Sequence, residues 1–224
     1  MREFGKQLNN YTCVVPFSGG VESTALVKYL LKRGEKPFVF HILGSPGEAK
    51  RLPLVEKLFN IKIVTVRYNM NWDNGWVIDK NQTIDFWKKN FNKSGYPPNQ
   101  QQWASVAFQF IINNPYIHNV YFGHNGGSLL EKDDNLGDTR HTYGEYQYVG
   151  YRQAANELNI PLHFSAPLDR SSKLEQYQSL SEEEKQTLFS CQMDTDEHCL
   201  KCKKCEELIT VMRADGTLHY LKTK

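Results

Sequence analysis

The sequence predicts an α/β fold, in which a doubly wound, mainly parallel sheet of five strands is followed by a C-terminal helical, zinc-binding extension. Three observations predict it. Short apolar runs alternate with helical patterns about five times, a glycine- and hydroxyl-rich loop separates the first strand from the first helix, and four of the five cysteines lie close together near the C-terminus. We therefore expect an α/β domain over residues 1–168 and a helical region over residues 169–224.

The five predicted strands are short runs rich in apolar and β-branched residues, bounded by turn residues. They are residues 11–17, 38–43, 61–66, 120–123 and 161–167. In a doubly wound sheet, ligands bind at the carboxyl ends of the strands, where the strand order reverses. The loops after the first, second and fourth strands are therefore predicted to carry the chemistry.

The predicted helices each place their apolar residues on one face. They are residues 22–33, 48–59, 101–112, 143–158, 173–180 and 182–188, with a further helical stretch at 84–91. Gly34 is expected to end the first helix, and Pro53 is expected to distort or restart the second. Ser181, with Glu184 three residues later, predicts a capping box at the start of the last helix.

Composition and charge exclude several classes of protein. The 224 residues are 40% hydrophobic and 23% charged, which is enough apolar material for a buried core. A net charge of +2 gives no general attraction to nucleic acid. No apolar run approaches the roughly 20 residues that span a bilayer, and the first ten residues do not resemble a signal peptide. We expect a cytoplasmic protein that acts on a small molecule and binds neither membrane nor nucleic acid directly; a homodimer is one option for its assembly.

The loop after the first strand has the composition of an anion-binding site. It reads Phe17-Ser18-Gly19-Gly20-Val21-Glu22-Ser23-Thr24. Glycines let backbone N–H groups approach an anion, three hydroxyls add donors, and the helix N-terminus adds partial positive charge. The loop is neither a Walker A loop nor a dinucleotide-binding G-x-G-x-x-G. It predicts a phosphate or pyrophosphate site, and the plainer alternative is a tight turn with a serine cap.

Residues 18–24 resemble Ser-Gly-Gly-x-Asp-Ser-Thr, the pyrophosphate loop of the N-type ATP pyrophosphatases. These enzymes cleave ATP between the α- and β-phosphates and adenylate a carbonyl oxygen. The resemblance implies the adenine nucleotide alpha-hydrolase-like form of the fold, with ATP and Mg²⁺ as cofactors. Glu22 stands where the family usually has Asp. The charge is kept, but the carboxylate reaches one methylene further, so a Mg²⁺ geometry slightly different from the family's is expected.

The spacing of the four C-terminal cysteines predicts a zinc site. With the spacing C-x7-C-x2-C-x2-C, the ligands are Cys191, Cys199, Cys202 and Cys205. Four thiolates are a complete tetrahedral set for Zn²⁺, with no open position for catalysis. Lysines at 201, 203 and 204 lie between the ligands and offset the negative charge of such a site.

Other interpretations of the cysteines stay open. An iron–sulfur cluster uses the same ligand type, and unrelated buried or disulfide-bonded thiols are the plainer alternative. His198, beside Cys199, could replace one ligand, but with four cysteines available it is expected to be exposed. Cys13 lies in the first strand and is expected to pack as a small buried hydrophobe.

The two motifs in this order resemble the 7-cyano-7-deazaguanine synthases, the nitrile-forming enzymes of the queuosine pathway. Shorter matches lie between the two motifs. They are Gly123-His124-Asn125 for the family's Gly-Val-Asn, Asp138-Thr139-Arg140 for its Asp-Cys-Arg, and Pro167-Leu168 with Lys173 for its Pro-Leu and following Lys.

The resemblance implies an ATP-dependent carbon–nitrogen ligase, which converts 7-carboxy-7-deazaguanine and ammonia to 7-cyano-7-deazaguanine through an acyl-adenylate. The catalytic residues it implies are Ser18, Glu22 and Ser23. The nucleotide-binding residues it implies are Phe17, Ser18, Gly19, Gly20, Val21, Glu22, Ser23, Thr24, Gly123 and His124. The substrate-binding residues it implies are Asn125, Asp138, Arg140 and Lys173.

The middle of the chain departs from the family pattern. Leu43-Gly-Ser-Pro-Gly47 stands where the family usually has Tyr-Gly-Gln, and Pro98-Asn-Gln-Gln-Gln-Trp103 stands where it has Pro-x-Arg-Asn. Two alternatives therefore remain. One is another adenylating enzyme of the same fold with a different carboxylate acceptor, and the other is a nucleotide-binding accessory protein that has lost turnover.

Overall fold

The computed structural model describes residues 10–42, 46–66, 99–114, 116–124, 129–130, 153, 155–191 and 196–221. The predicted helical stretch at 84–91 lies outside the described residues. Most of the predicted helix at 143–158 also lies outside them, although residues 155–157 are helical.

The described strands form one sheet, and all of them are parallel. They are β1 (Cys13–Pro16), β2 (Pro37–Ile42), β3 (Ile63–Val66), β4 (Asn119–Tyr121) and β5 (His163–Ser165). Their order across the sheet is β3-β2-β1-β4-β5, and every neighbouring pair runs in the same direction. The prediction of a five-stranded, doubly wound parallel sheet is confirmed for the described residues, each strand lying within its predicted range except that β2 and β4 begin one residue earlier.

Six helices accompany the sheet in the described part of the chain. They are α1 (Val21–Lys32), α2 (Pro46–Phe59), α3 (Asn99–Ile112), α4 (Lys173–Gln178), α5 (Glu182–Gln186) and α6 (Lys203–Ala214). A short 3-10 turn, Leu218–Tyr220, follows α6. None of the described helices is long and apolar enough to cross a membrane.

One helix start agrees with the sequence, another was not predicted, and one expected interruption does not occur. The capping box of Ser181 and Glu184 is confirmed at the start of α5, and an unpredicted one, from Ser172 and Glu175, begins α4. Pro53 was expected to distort or restart the second helix, and it does not restart it, because α2 is a single helix through that residue. Pro53 is exposed, so the backbone hydrogen bond that proline cannot donate is lost on the solvent side of the helix.

Alternate residues of β1 point to opposite faces of the sheet, and each face has its own apolar cluster. Val14 packs with α3 on one face, in a cluster where the rings of Phe38 and Phe110 stack with centroids 3.9 Å apart. Cys13 and Val15 pack with α1 and α2 on the other face. Cys13 is 0% exposed, which confirms that it is a buried thiol, and burial raises its pKa to about 12.

The strand order places the switch point between β1 and β4. The chain passes from β1 outwards through β2 and β3, then returns to β4 on the other side of β1. The carboxyl ends of β1 and β4 therefore form a crevice, where parallel α/β sheets bind ligands. A third apolar cluster joins Val21 and Ala25 of α1 to the C-terminal helices, so those helices pack beside this crevice.

Candidate functional site

The loop between β1 and α1, residues 17–20, is a compact turn closed by its own hydroxyls. Gly19 has φ +79°, in the left-handed region that favours glycine. The Ser18 amide donates to Ser23 Oγ at 3.3 Å, the two serine Oγ atoms lie 3.1 Å apart, and Ser23 Oγ donates to the Gly20 carbonyl at 3.3 Å. Ser18 and Ser23, which the sequence predicts as functional, are therefore brought together at the N-terminus of α1.

Three polar groups surround the Cα of Gly20 and form what we call the Gly20 cradle. A Cβ at this position would lie 3.3 Å from Ser190 Oγ and 3.6 Å from both Ser18 Oγ and Glu22 Oε2. Gly20 is the N-cap residue of α1, with no side-chain cap, so the first N–H groups of the helix meet at the same place. The cradle thus combines hydroxyl and N–H donors with one carboxylate.

A buried histidine at the end of the neighbouring strand β2 supports the loop. His41, 1% exposed at the end of β2, has its Nδ1 2.8 Å from the Phe17 carbonyl oxygen. Because a carbonyl can only accept, Nδ1 carries the proton. Burial lowers the pKa of His41, so this donor is a neutral imidazole near neutral pH. Sequence analysis did not single out His41, since a histidine within a strand run carries no motif.

Gly123 brings the end of β4 directly against the first turn of α1. A Cβ on Gly123 would lie 2.6 Å from the Glu22 carbonyl carbon and 2.7 Å from the Ser23 nitrogen. The next residue, His124, is half-buried, and its carbonyl accepts a hydrogen bond from Gln176 Nε2 at 2.7 Å. The structure thus places two predicted nucleotide-binding residues, Gly123 and His124, at the switch-point crevice beside the loop.

A chain of alternating charges connects the loop to the C-terminal helix α6. Lys173 Nζ lies 2.9 Å from Glu22 Oε1 and 2.9 Å from Glu207 Oε2, and Lys204 Nζ lies 3.2 Å from the same Glu207 oxygen. Lys173 is only 1% exposed. A lysine buried this deeply requires such partners, so its position depends on both carboxylates.

The charge chain shifts the pKa values of Glu22, Lys173 and Glu207 in the directions expected for ion pairs. Burial alone would raise the pKa of Glu22, but Lys173 and Lys204 outweigh it and lower the pKa to about 2. Burial would lower the pKa of Lys173, and Glu22 and Glu207 instead raise it. Burial would raise the pKa of Glu207, and the two lysines lower it. All of these groups are therefore charged near neutral pH.

The structure also decides how two predicted residues relate to each other. Sequence analysis assigned Glu22 to the Mg²⁺ site and Lys173 to the substrate. In the structure they are paired, with Oε1 of Glu22 bonded to Lys173 while Oε2 faces the Gly20 cradle. Glu207, which completes the pairing, was missed, because a glutamate two residues after a cysteine ligand has no sequence signature.

The four C-terminal cysteines come together in space, as their spacing predicts. Their sulfur atoms all lie within 4.8 Å of one another. Zn–S bonds of about 2.3 Å in a tetrahedron set sulfur separations near 3.8 Å, so only small shifts would bring all four onto one ion. All five cysteines of the chain are free. These four residues could therefore hold a metal ion such as zinc.

Backbone geometry prepares one of the cysteine ligands. Leu200 has φ +59°, which turns the backbone so that the Lys201 and Cys202 amides donate to Cys199 Sγ at 3.5 and 3.3 Å. The two N–H donors hold the Cys199 sulfur beside those of the other three cysteines. Cys202 is the N-cap of α6 and Cys205 lies in its first turn, where the helix N-terminus favours negative charge.

Burial favours the neutral thiol of Cys205 over its thiolate. It is 1% exposed, and burial followed by the neighbouring thiols raises the pKa of its thiol. Metal binding must therefore displace the proton that burial favours on Cys205, which makes metal affinity increase with pH.

The expectation that His198 is exposed is wrong. Its ring is half-buried, its centroid lies 4.8 Å from that of Phe189, and its Nδ1 lies 3.7 Å from Cys205 Sγ. The ring packs between Phe189 and Cys205 instead of facing solvent. Burial lowers the pKa of His198, so the ring is neutral and sits beside the four-sulfur set.

The segment that leads into Cys191 is hydrogen-bonded directly to the β1–α1 loop. The Phe189 amide donates to the Gly19 carbonyl at 3.0 Å, and Ser190, the next residue, forms one wall of the Gly20 cradle. From the other side, the Arg51 guanidinium of α2 lies 4.5 Å above the Phe189 ring. Two motifs that are about 170 residues apart in the chain therefore form a single site.

The remaining predicted substrate residues are not placed by the structure. Asn125, Asp138 and Arg140 lie outside the described residues. No family model matches the chain, and a comparison with curated proteins finds no match. The case for a function therefore depends on the β1–α1 loop and on Cys191, Cys199, Cys202 and Cys205, which we call the cysteine centre. Their arrangement can bind an anion against N–H and hydroxyl donors, next to a carboxylate and a metal-binding set.

Proposed function

We propose that this protein is an ATP-dependent ligase of the adenylating type, which converts 7-carboxy-7-deazaguanine and ammonia to 7-cyano-7-deazaguanine. The observation that carries the proposal is the Gly20 cradle at the switch point between β1 and β4. There, glycine backbone, two serine hydroxyls and the α1 N-terminus meet one carboxylate oxygen. This is the set of groups that a Mg²⁺-bound pyrophosphate requires.

The chemistry begins with attack of a substrate carboxylate oxygen on the α-phosphorus of ATP. The bond to the bridging oxygen breaks, pyrophosphate leaves, and an acyl-adenylate remains. Ammonia displaces AMP and loses one proton to give the amide. The amide oxygen then attacks the α-phosphorus of a second ATP, which releases a second pyrophosphate and a proton from nitrogen. Loss of AMP, which carries away the oxygen, and of the last nitrogen proton gives the nitrile. Mg²⁺, when bound, supplies charge neutralisation of the leaving pyrophosphate.

The residues of this chain have distinct tasks in that scheme. When phosphate binds, Ser18 and Ser23 exchange the hydrogen bonds that they make within the loop for donation to phosphate oxygens, and Gly20 allows the phosphates to approach the backbone. Glu22 keeps one oxygen directed at the cradle while Lys173 holds the other, so the carboxylate is orientated towards the metal–phosphate unit. Asp138 and Arg140 are proposed to meet the polar edge of the deazapurine, with Asp138 accepting from ring N–H groups.

A Gly20→Val change tests the nucleotide site. The added Cβ meets Ser190 Oγ at 3.3 Å, and its methyl groups extend into the space proposed for phosphate, so we expect ATP binding to be lost in a calorimetric titration. Gly216→Ala is the control, because its site is open and has φ +75°. That change strains the backbone and is expected to lower stability without changing ATP affinity. Unchanged ATP affinity in Gly20→Val contradicts the placement.

An Asp138→Asn change tests the acceptor pocket. It preserves shape but turns one acceptor oxygen into a donor, so affinity for 7-carboxy-7-deazaguanine should fall by about 1–3 kcal/mol. ATP affinity should stay near that of the wild type. Asp196→Asn is the matched control, since Asp196 is half-exposed and pairs with Lys50 at the surface. An unchanged affinity for the acid in Asp138→Asn places the pocket elsewhere.

Product analysis of the wild type with ATP, ammonia and the deazaguanine acid separates the candidate functions. Nitrile formation supports the proposal. Formation of AMP without nitrile supports an adenylating enzyme with another acceptor. The pairing of Glu22 with Lys173 favours, as second candidate, a protein that binds nucleotide without turnover, because it engages one oxygen of the proposed Mg²⁺-binding carboxylate. That candidate predicts neither AMP nor nitrile.

A further inference from the structure

Ser190 lies between a residue bonded to the loop and a residue of the cysteine centre. On its N-terminal side, the Phe189 amide donates to the Gly19 carbonyl at 3.0 Å. On its C-terminal side is Cys191, 3% exposed and within 4.8 Å, sulfur to sulfur, of the other three cysteines. The backbone of Ser190 is thus held at both ends, and its side chain has little freedom to leave the loop.

The Ser190 hydroxyl faces the same point as the loop's own polar groups. It is the nearest atom to the position that a Gly20 Cβ would occupy, at 3.3 Å, compared with 3.6 Å for Ser18 Oγ and 3.6 Å for Glu22 Oε2. The residue is half-buried, so its hydroxyl is partly shielded from water. In the first turn of α1, the Thr24 hydroxyl is also buried, with no hydrogen-bond partner among the described residues, so the loop holds more donors than its internal bonds use.

We propose that Ser190 is a phosphate-binding residue of this site, and that the cysteine centre holds its hydroxyl in the Gly20 cradle. The inference rests on the proposed function, because it takes the cradle to be where the pyrophosphate of ATP binds. Ser190 donates a hydrogen bond to a phosphoryl oxygen opposite Ser18. A neutral donor is suited to this position, since Glu22 already provides the carboxylate there and Lys173 balances it.

This assignment gives the cysteine centre a role in binding beyond local stability. Ser190 directly precedes Cys191 in the chain, so any movement of Cys191 moves Ser190 relative to Gly20. The metal-binding set therefore fixes one wall of the phosphate site, although none of its cysteines contacts the phosphate. By linkage, a phosphate that engages Ser190 also stabilises the folded cysteine segment.

The test is calorimetric titration with inorganic pyrophosphate and Mg²⁺, using the full-length protein with its metal content measured. Loss of one hydrogen bond to a charged phosphate should weaken pyrophosphate binding of Ser190→Ala roughly tenfold. The variant should retain the metal content and melting temperature of the wild type, because the Ser190 hydroxyl is not a metal ligand. Ser179→Ala is the matched control, since that hydroxyl donates to the Gln176 carbonyl within α4 and its turn, and it should bind pyrophosphate as the wild type does.

The outcomes separate this inference from the proposed function. If the wild type binds neither pyrophosphate nor ATP, the nucleotide site itself is wrong. If the wild type binds pyrophosphate and Ser190→Ala binds it equally well, the nucleotide site stands and the role of Ser190 is overturned. A weakening that is fully explained by metal lost from Ser190→Ala also overturns a direct contact, whereas weakening at full metal content supports it.

Discussion

Replacing Cys202 with serine is expected to remove the bound metal and unfold the segment around α6. Cys202 is both a member of the four-sulfur set and the N-cap of α6. In small zinc-binding peptides, metal binding contributes on the order of 10 kcal/mol, and that free energy is folding free energy. We expect residues 196–214 to lose protection in amide hydrogen exchange, and elemental analysis to show one zinc per chain in the wild type and none in the variant.

The loss of structure around α6 is also expected to affect the β1–α1 loop. Phe189 and Ser190 contact Gly19 and Gly20, so Cys202→Ser is also expected to weaken pyrophosphate binding. Cys13→Ala is the matched control, because Cys13 is buried in β1 away from the cluster and should leave the zinc content unchanged. Iron with sulfide in the wild type would replace the zinc assignment with an iron–sulfur cluster, and absence of any metal would remove the site.

Replacing Lys173 with methionine is expected to lower the free energy of unfolding by about 3–5 kcal/mol. The change keeps the unbranched stem of the side chain but leaves two partly buried carboxylates, Glu22 and Glu207, without the cation between them. Denaturant titration at neutral pH measures the loss. Lys50→Met is the control, since Lys50 and Asp196 are both more than half exposed, and a surface pair contributes at most about 1 kcal/mol.

The pH dependence of that loss distinguishes charge from packing. The pKa of Glu22 is lowered from 4.5 to about 2, so its stabilising contribution is fully present above pH 4.5 and disappears as the pH falls towards 2. The deficit of Lys173→Met should therefore be largest above pH 4.5 and shrink at lower pH, where Glu22 becomes protonated. A deficit that stays constant over this range would mean that only packing was lost.

Local patterns predicted most of the described fold. Apolar runs such as 61–66 identified strands because a fully buried strand has few polar residues. The Ser181–Glu184 pair identified a helix start because a capping box needs only four consecutive residues. The restart at Pro53, which does not occur, could not be decided in this way. A proline removes one hydrogen bond whose cost depends on solvent exposure, and exposure is a property of the folded chain.

The candidate site was predictable in its parts but not in its connections. Gly19 and the cysteine set were found because tight turns and metal ligands restrict residue type at short spacing. His41 and Glu207 were missed, because histidine and glutamate have no fixed meaning outside a motif. His198 was misjudged for the same reason, since whether a ring faces solvent or a neighbouring thiol depends on how its turn is folded.

The sequence alone determined the alternation of strands and helices, the loop that begins α1 and the ligand set of the cysteine centre. These depend on interactions between residues near each other in the chain, which a pattern can encode. Only the tertiary structure decided that Gly123 closes against Glu22, that Lys173 joins Glu22 to Glu207, and that Ser190 completes the Gly20 cradle. The physical reason is that these contacts arise where the parallel sheet and the C-terminal helices bring distant segments within a few ångströms. Burial and charge pairing there depend on the whole packed structure.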